Sequence, residues 1–301
     1  MRAMLLIVFA SLLLASCSNE GRPVAEEPST QEALNIGLIP EQNIFAQLQR
    51  YQPLAAVLSE AVGRKVELKV LRRYGNIIEN FNAEHLDGAF FGSFTYVLAH
   101  ERLGVEVLAR PVNANGASTY YGLLLVRKDS GIRRAEDMKG KVFAFVDRAT
   151  TAGYLFPLAY FSQHRITDYR TYLKETYFTG THQDVILDVL GRKADIGALK
   201  NTVYEEFVRA NPKSAAELLV LARSAEVPEN GLAVRKDLVP KISAALKSTL
   251  LEMHTTSTGR SALNAIGAVR FIETTSKDYQ PVVELARAAG VDVAHYTYVN
   301  H

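Results

Sequence analysis

The sequence predicts an α/β protein with two lobes, each built on a mixed, mostly parallel sheet flanked by helices. Three observations indicate this class. Short apolar runs alternate with helical periodicity from residue 33 onward, three strand–helix units follow one another directly, and a second series of similar size begins after the turn at residues 129–131. Consecutive strand–helix units favour parallel strands covered by helices. We therefore expect one sheet for each series, with the chain crossing between the lobes more than once.

The elements follow from apolar periodicity along the chain. In the first series we expect strands over residues 34–39, 66–71, 87–91, 105–112 and 120–127, and helices over 44–62, 77–83 and 94–103. In the second series we expect strands over residues 141–146, 172–178, 194–199 and 218–223, and helices over 151–163, 183–190 and 201–210. The chain after residue 235 is expected to be mostly helical. These elements predict a first lobe from residues 33–120 plus 226–301 and a second lobe from residues 121–225.

The amino terminus predicts export. An apolar run from Leu5 to Leu14 follows Arg2 and ends in Leu14-Ala15-Ser16-Cys17. The run is too short to span a bilayer, and its small-residue ending is typical of a signal peptide. The ending resembles the lipobox of bacterial lipoproteins, in which the cysteine is lipidated. We expect residues 1–16 to be a signal peptide, residues 17–32 a flexible tether, and the protein to lie lipid-anchored in the periplasm or on the outer face of the cytoplasmic membrane.

Composition excludes several classes of function. Cys17 is the single cysteine, so its lipidation leaves no thiol for a disulfide, a nucleophile or a soft metal ligand. The 34 basic and 32 acidic residues give a net charge of +2 without a basic stripe, so we expect no nucleic-acid partner. No two histidines have metal-ligand spacing, so we expect neither a metal nor another cofactor.

Two strand-to-helix junctions carry candidate anion-binding residues. Thr150 and Thr151 follow a predicted strand and precede small residues at a helix start, where unpaired backbone N–H groups favour an anion. The alternative is that Thr151 only caps its helix. We expect Pro157 to break or kink this helix. His182 lies at the next such junction, where it either donates an imidazole N–H to an oxyanion or is a solvated capping residue.

Five segments in this order resemble the phosphonate/phosphite/phosphate-binding proteins of ABC importers, which are type II periplasmic binding proteins. The segments are RRYGNIIENF, DGAFFGSFTYVLA, YYGLLLVRKDSGI, ATTAGYLFP and FTGTHQDVILDVLGRKADIGAL. The resemblance runs from about Leu34 to about Lys236. It implies a two-lobed solute-binding protein, not an enzyme, that takes a small oxyanion into the cleft between its lobes and passes it to an ABC permease in the inner membrane.

The resemblance also implies the ligand-binding residues. They fall on Tyr74, Phe91, Gly92, Thr150, Thr151, Ala152 and His182. In relatives that bind an aminoalkylphosphonate, acidic residues receive the ammonium group, and these positions fall here on Thr202 and Asn230, with Lys200 nearby. A buried ammonium without a carboxylate partner is costly. We therefore expect a phosphate, phosphite or simple alkylphosphonate ligand, with Lys200 either facing the cleft or pointing outward.

Two other functions remain open from the sequence. Some relatives serve as the ligand-sensing partner of a membrane sensor kinase, and transport and sensing use the same site. An extracytoplasmic hydrolase would need a nucleophile, a base and an orienting group in contact. Thr151 and His182 with a carboxylate behind the imidazole would meet that requirement, so their mutual geometry decides this alternative.

Overall fold

The computed structural model describes residues 32–71 and 77–297. The predicted signal peptide, Cys17, most of the tether and Tyr74 lie outside the described residues. Within the described ranges no helix combines the length and apolar character needed to cross a bilayer.

The described elements alternate between strands and helices along most of the chain. In chain order they are β1 (Leu34–Leu38), α1 (Ile44–Val62), β2 (Val66–Val70), α2 (Ile77–Ala83), β3 (Gly88–Phe91), α3 (Ser93–Leu103), β4 (Glu106–Asn113), β5 (Thr119–Tyr120), β6 (Gly122–Arg127), β7 (Val142–Phe145), a π-helical turn (Thr151–Leu155), α4 (Phe156–Gln163), α5 (Tyr169–Tyr172), β8 (Glu175–Phe178), α6 (His182–Leu190), β9 (Ile196–Lys200), α7 (Asn201–Ala210), α8 (Pro212–Ala215), β10 (Leu218–Arg223), β11 (Val227–Pro228), β12 (Gly231–Val234), α9 (Pro240–Glu252), α10 (Ser257–Ala265), β13 (Ala268–Glu273) and α11 (Gln280–Ala288).

The strands form two mixed sheets, in agreement with the predicted fold class. The first has the order β13-β4-β12-β3-β1-β2, and the second has the order β10-β6-β9-β7-β8. In the first sheet β1 is parallel to β2 and β3, whereas β12 runs antiparallel to β3 and β4. In the second sheet β7 is parallel to β8 and β9, and β6 is antiparallel to β9 and β10. The parallel pairs place several strand-to-helix junctions at one edge of each sheet.

The chain crosses between the two sheets along a short two-stranded ribbon. On its way to the second sheet it forms β5, and on its return it forms β11, which pairs with β5 in antiparallel register. The return segment continues directly into β12 of the first sheet, and the backbone N–H of Glu229 donates to the carbonyl of Ser118 at 2.9 Å. The crossing ribbon therefore holds both passages of the chain side by side.

Two apolar cores support this arrangement. One lies between the first sheet and helices α1, α9 and α10. The other covers the second sheet and extends without interruption into α3 and α11. Because this second core includes helices that pack on both sheets, the sheets are joined by buried apolar contact as well as by the crossing ribbon.

The strand β13 departs from the predicted helical end of the chain. Its buried residues Ala268 and Phe271 are three positions apart, with exposed residues between them. This spacing is typical of a helix, and it arises because a β-bulge between Ala268 and Arg270 interrupts the two-residue alternation of the strand. Periodicity alone therefore could not identify this edge strand.

Candidate functional site

Helix starts and strand ends from both sheets meet around one small cavity. Its lining residues are Ile39, Glu41, Gly92, Tyr120, Ala149, Thr150, Thr151, Ala152, His182, Lys200 and Asn230. They include every predicted site residue except Tyr74, Phe91 and Thr202. The cavity measures about 10 Å³, which is room for about one water molecule.

The loop that carries Thr150 and Thr151 ends in a π-helical turn rather than in a regular helix start. The N–H groups of Leu155 and Phe156 donate to carbonyls five residues earlier. Pro157 has no N–H to donate to Gly153, and the Gly153 carbonyl instead accepts a bond from the Val146 N–H at 3.3 Å. The turn before Pro157 is therefore widened and the helix continues through the proline into α4, whereas the sequence predicts a break or kink there.

The two threonine hydroxyls have different partners. Thr150 Oγ1 donates to the Asp147 carbonyl at 2.6 Å, which fixes the turn before the helix. Thr151 Oγ1 accepts from the backbone N–H of Phe94, in the first turn of α3, at 3.0 Å. Thr151 therefore does not cap its own helix through its hydroxyl. It joins the second sheet's loop to a helix that follows the first sheet.

The start of α3 adds further neutral hydrogen-bonding groups. Its N-cap is Gly92, which has no side chain to satisfy the first N–H groups. The Tyr120 hydroxyl lies against those of Ser93 and Thr151, and burial raises the pKa of Tyr120. Ser93 Oγ in turn donates to the Pro228 carbonyl at 2.5 Å. These contacts fix hydroxyl and amide groups along one wall of the cavity.

His182 is a buried neutral imidazole. Its side chain is held by the Lys200 backbone N–H, which donates to Nδ1 at 3.2 Å, and its own backbone N–H donates to the Glu41 carbonyl at 3.2 Å. Burial lowers the pKa of His182 to about 4, although Glu41 acts in the opposite direction. Because Nδ1 accepts a hydrogen bond, the ring hydrogen of the neutral form is on Nε2.

Lys200 points into the site, where its side chain is only 2% exposed. Nζ lies 3.0 Å from Glu41 Oε1, forms a closer ion pair with Glu229 Oε1, and donates to Asn230 Oδ1 at 3.3 Å. It also lies 4.4 Å from the centre of the Tyr120 ring. Burial alone would lower the pKa of Lys200, but Glu229 and Glu41 raise it, so the amine stays charged.

The two carboxylates around Lys200 are not equivalent. Burial tends to raise the pKa of Glu41, but Lys200 and His182 lower it below its usual value. Burial raises the pKa of Glu229 in spite of the contact with Lys200, since Glu41 shares the same cation and repels a second negative charge. The lack of acidic residues at Thr202 and Asn230 therefore does not leave the site without carboxyl groups, because Glu41 and Glu229 both contact Lys200.

Two of the predicted residues, Phe91 and Thr202, are placed elsewhere. Tyr74 lies outside the described residues. The ring of Phe91 stacks on that of Phe81, with 6.2 Å between ring centres, and so belongs to the core. Thr202 lines a neighbouring groove of about 170 Å³. Lys200, Glu41 and Asn230 line both spaces, so the Lys200 cluster separates the cavity from the groove.

Sequence reasoning missed Glu41, Tyr120 and Glu229. Glu41 follows β1 at the same edge of the sheet as Gly92 follows β3, so the position of strand ends contained a usable signal. Tyr120 is the last residue of β5 and Glu229 follows β11, and the two-residue strands of this crossing ribbon give no periodicity. Only Asn230, the neighbour of Glu229, was identified there.

Comparison with known proteins places this geometry in a family. The family model described as "ABC transporter, phosphonate, periplasmic substrate-binding protein" matches residues 36–279. The chain belongs to this family. Its relatives include the phosphonates-binding periplasmic protein of Escherichia coli, 24% identical over 87% of this chain and 78% of that protein, and the phosphate-import protein PhnD of Mycolicibacterium smegmatis, 26% identical over 79% and 77%.

A solved structure shows the same fold. The structure of PhnD1 from Prochlorococcus marinus in complex with methylphosphonate has a TM-score of 0.77 and 23% identity, over 86% of this chain and 98% of that one. The fold is therefore that of the type II periplasmic binding proteins. The members of this phosphonate-binding family are substrate-binding transport proteins rather than enzymes.

The geometry also argues against a hydrolase. His182 Nδ1 accepts a backbone N–H, so the nitrogen that an orienting carboxylate would contact in a catalytic triad is already bonded. Thr151 Oγ1 is bonded to the Phe94 N–H of another helix. The family model that matches the chain describes the substrate-binding protein of an ABC transporter.

Proposed function

We propose that this protein is an extracytoplasmic solute-binding lipoprotein of an ABC importer and that its ligand is a small phosphorus oxyanion. Phosphate, phosphite and simple alkylphosphonates are the candidates. The observation that carries the proposal is the convergence of uncharged hydrogen-bonding groups from both sheets on one cavity. The predicted ligand-binding residues that line this cavity are Gly92, Thr150, Thr151, Ala152, His182, Lys200 and Asn230.

The chemistry of the lining supports an oxyanion. Helix starts supply backbone N–H groups that favour negative charge, and the neutral His182 supplies an Nε2 hydrogen at neutral pH. Neutral donors bind an anion without a counter-charge that must itself be desolvated. The Lys200 ammonium is already engaged by Glu41 and Glu229, so in this proposal it shapes the site and does not act as a free cation for the ligand.

The relatives support the same class of ligand. One is named for phosphonates, one for phosphate import, and the solved structure contains methylphosphonate. The substituents of a tetrahedral phosphorus need more room than one water molecule. Entry of the ligand therefore requires the two sheets to move apart and close again, a hinge motion for which the crossing ribbon β5–β11 is the natural pivot.

The cellular setting completes the proposal. Lipidation of Cys17 would hold the protein at the outer face of a membrane, within reach of the permease that receives its ligand. The boundaries of the lobes at residues 120–121 and 225–226 remain predictions, and the two sheets divide the chain in a compatible way.

Titration calorimetry tests the proposal. We expect heat of binding with phosphate, phosphite or methylphosphonate, and at least tenfold weaker binding of 2-aminoethylphosphonate. Sulfate is tetrahedral like phosphate but has no ionisable proton at neutral pH, and it serves as the control for nonspecific anion binding. The absence of binding to every phosphorus oxyanion would contradict the proposed function, and a preference for 2-aminoethylphosphonate would contradict the ligand class.

A further inference from the structure

The surroundings of the Lys200 ammonium form a cation site. Nζ donates to Glu41 Oε1 at 3.0 Å, to Glu229 Oε1, and to Asn230 Oδ1 at 3.3 Å, and it lies 4.4 Å from the centre of the Tyr120 ring. Paired carboxylates and an aromatic face are the groups with which proteins bind ammonium ions, including those of ligands. In this protein the ammonium belongs to the chain itself.

The site has more acceptor capacity than Lys200 uses. Two carboxyl groups with four oxygen atoms face a single ammonium. Glu229 is only 6% exposed, and its Oε2 atom is buried without a hydrogen-bond partner among the described residues. A buried carboxylate oxygen without a donor is unfavourable and marks a place where a further N–H group would bind.

The cation site adjoins the anion-binding wall. Lys200 lines the cavity that Thr151 and His182 also line. Its backbone N–H holds the His182 ring, while its side chain ends between the carboxylates. A molecule with an oxyanion at one end and an ammonium at the other would place its ammonium where Nζ now lies.

We propose that Lys200 is a specificity-determining residue whose ammonium takes the place of a ligand's ammonium, so that the protein selects phosphorus oxyanions without an amine. A tethered ammonium binds without the loss of translational freedom that a ligand's ammonium suffers. An aminated ligand must therefore displace the Lys200 ammonium or bury a second positive charge beside it, which costs both desolvation and repulsion between the two cations. The identity of the anion rests on the proposed function, whereas the existence of the ammonium site does not.

The decisive variant is Lys200→Ala. It removes the ammonium and leaves Glu41, Glu229 and the backbone N–H that His182 accepts. We would measure binding of methylphosphonate and 2-aminoethylphosphonate by calorimetry, and thermal unfolding with ethylammonium chloride against sodium chloride at equal ionic strength. Ethylammonium carries no phosphorus, so this second measurement reports on the cation site alone.

We expect the order of affinities to reverse. The natural chain should bind methylphosphonate at least tenfold more tightly than 2-aminoethylphosphonate, and Lys200→Ala should prefer 2-aminoethylphosphonate at least tenfold. Ethylammonium should raise the melting temperature of Lys200→Ala by several degrees and leave that of the natural chain unchanged. An unchanged order of affinities, or no stabilisation specific to ethylammonium, would overturn the proposal.

Matched variants separate the alternatives. Lys193→Ala removes an exposed lysine that pairs with Asp188 at 3.0 Å, and it should show neither effect. K200A/E41Q/E229Q removes the acidic groups and should lose the preference for the amine. If Lys200→Ala does not fold even with ethylammonium, the double variant K200A/E229Q replaces it, because it buries one carboxylate fewer. A preference of this variant for 2-aminoethylphosphonate would support the proposal, and an unchanged order of affinities would refute it.

The two proposals fail in different ways. If neither protein binds any phosphorus oxyanion, the proposed function is wrong, and the ethylammonium measurement still decides whether Lys200 fills an ammonium site. If the natural chain binds methylphosphonate but Lys200→Ala gains no affinity for amines, the proposed function stands and the role given to Lys200 is wrong.

Discussion

Replacing His182 with asparagine should remove a specific pH dependence of stability. The pKa of His182 falls from 6.5 to about 4 in the folded protein because the ring is buried. The unfolded chain therefore takes up this proton first as the pH falls. The contribution of His182 to the free energy of unfolding is complete above about pH 6.5 and is lost progressively down to about pH 4. At about 1.4 kcal/mol for each unit, the loss is about 3 kcal/mol.

The asparagine is chosen because its side-chain oxygen can accept the Lys200 N–H in place of Nδ1. The assay is urea unfolding at half-unit steps from pH 7.5 to 4, with the difference between the two proteins taken at each step. Glu41 and Lys200 face the ring in the natural chain and remain in the variant, so their own titration largely cancels in the difference. As the pH falls from 6.5 to 4, the free energy of unfolding of the natural chain should decrease by about 3 kcal/mol relative to that of the variant.

If the difference in unfolding free energy between the two proteins stays constant from pH 6.5 to 4, the reasoning is refuted. The folded protein would then accept the proton on His182 as readily as the unfolded chain does. His254→Asn, at an exposed position, is the matched control for the loss of a histidine.

Three further changes test other parts of the structure. Thr151→Val should weaken oxyanion binding by about 1–3 kcal/mol in calorimetry, because it removes a hydroxyl from the site and leaves the Phe94 N–H without its acceptor; an unchanged dissociation constant would show that the hydroxyl has no part in ligand binding. Gly153→Ala should lower the free energy of unfolding in urea by about 1–3 kcal/mol, because its Cβ would lie 2.5 Å from that of Val146, and equal stability would show that the loop adjusts freely. Cys17→Ser should abolish incorporation of labelled palmitate and release the protein from membranes, whereas continued labelling would place the lipid elsewhere.

The sequence predicted the strands and helices correctly where the apolar residues follow a single strand or helix period. The apolar runs that became β1, β3 and β7 are short and largely buried, and helical segments separate them along the chain, so strand–helix alternation predicted the sheets. The bulged edge strand β13 was missed because its burial has helical spacing.

The candidate site was predictable in part for a related reason. Gly92, Thr150 and His182 follow strands directly, and strand ends meet at one edge of a sheet. Glu229 could not be found in this way, because its place depends on how the returning chain packs beside β5. That the Lys200 side chain turns inward also depends on Glu41, 159 residues away, and on Glu229, and no local pattern carries such information.

Several polar contacts fasten one sheet's elements to the other's. They include the Phe94–Thr151 and Lys200–Glu41 bonds at the cavity and the Arg50–Glu206 ion pair at 3.1 Å beside the groove. In the proposed hinge opening that admits the ligand, these contacts between the two sheets break. The rate of capture should consequently level off at high solute concentration, because the opening step would then set the speed. Weakening the peripheral Arg50–Glu206 pair should raise that plateau without altering the chemistry of recognition.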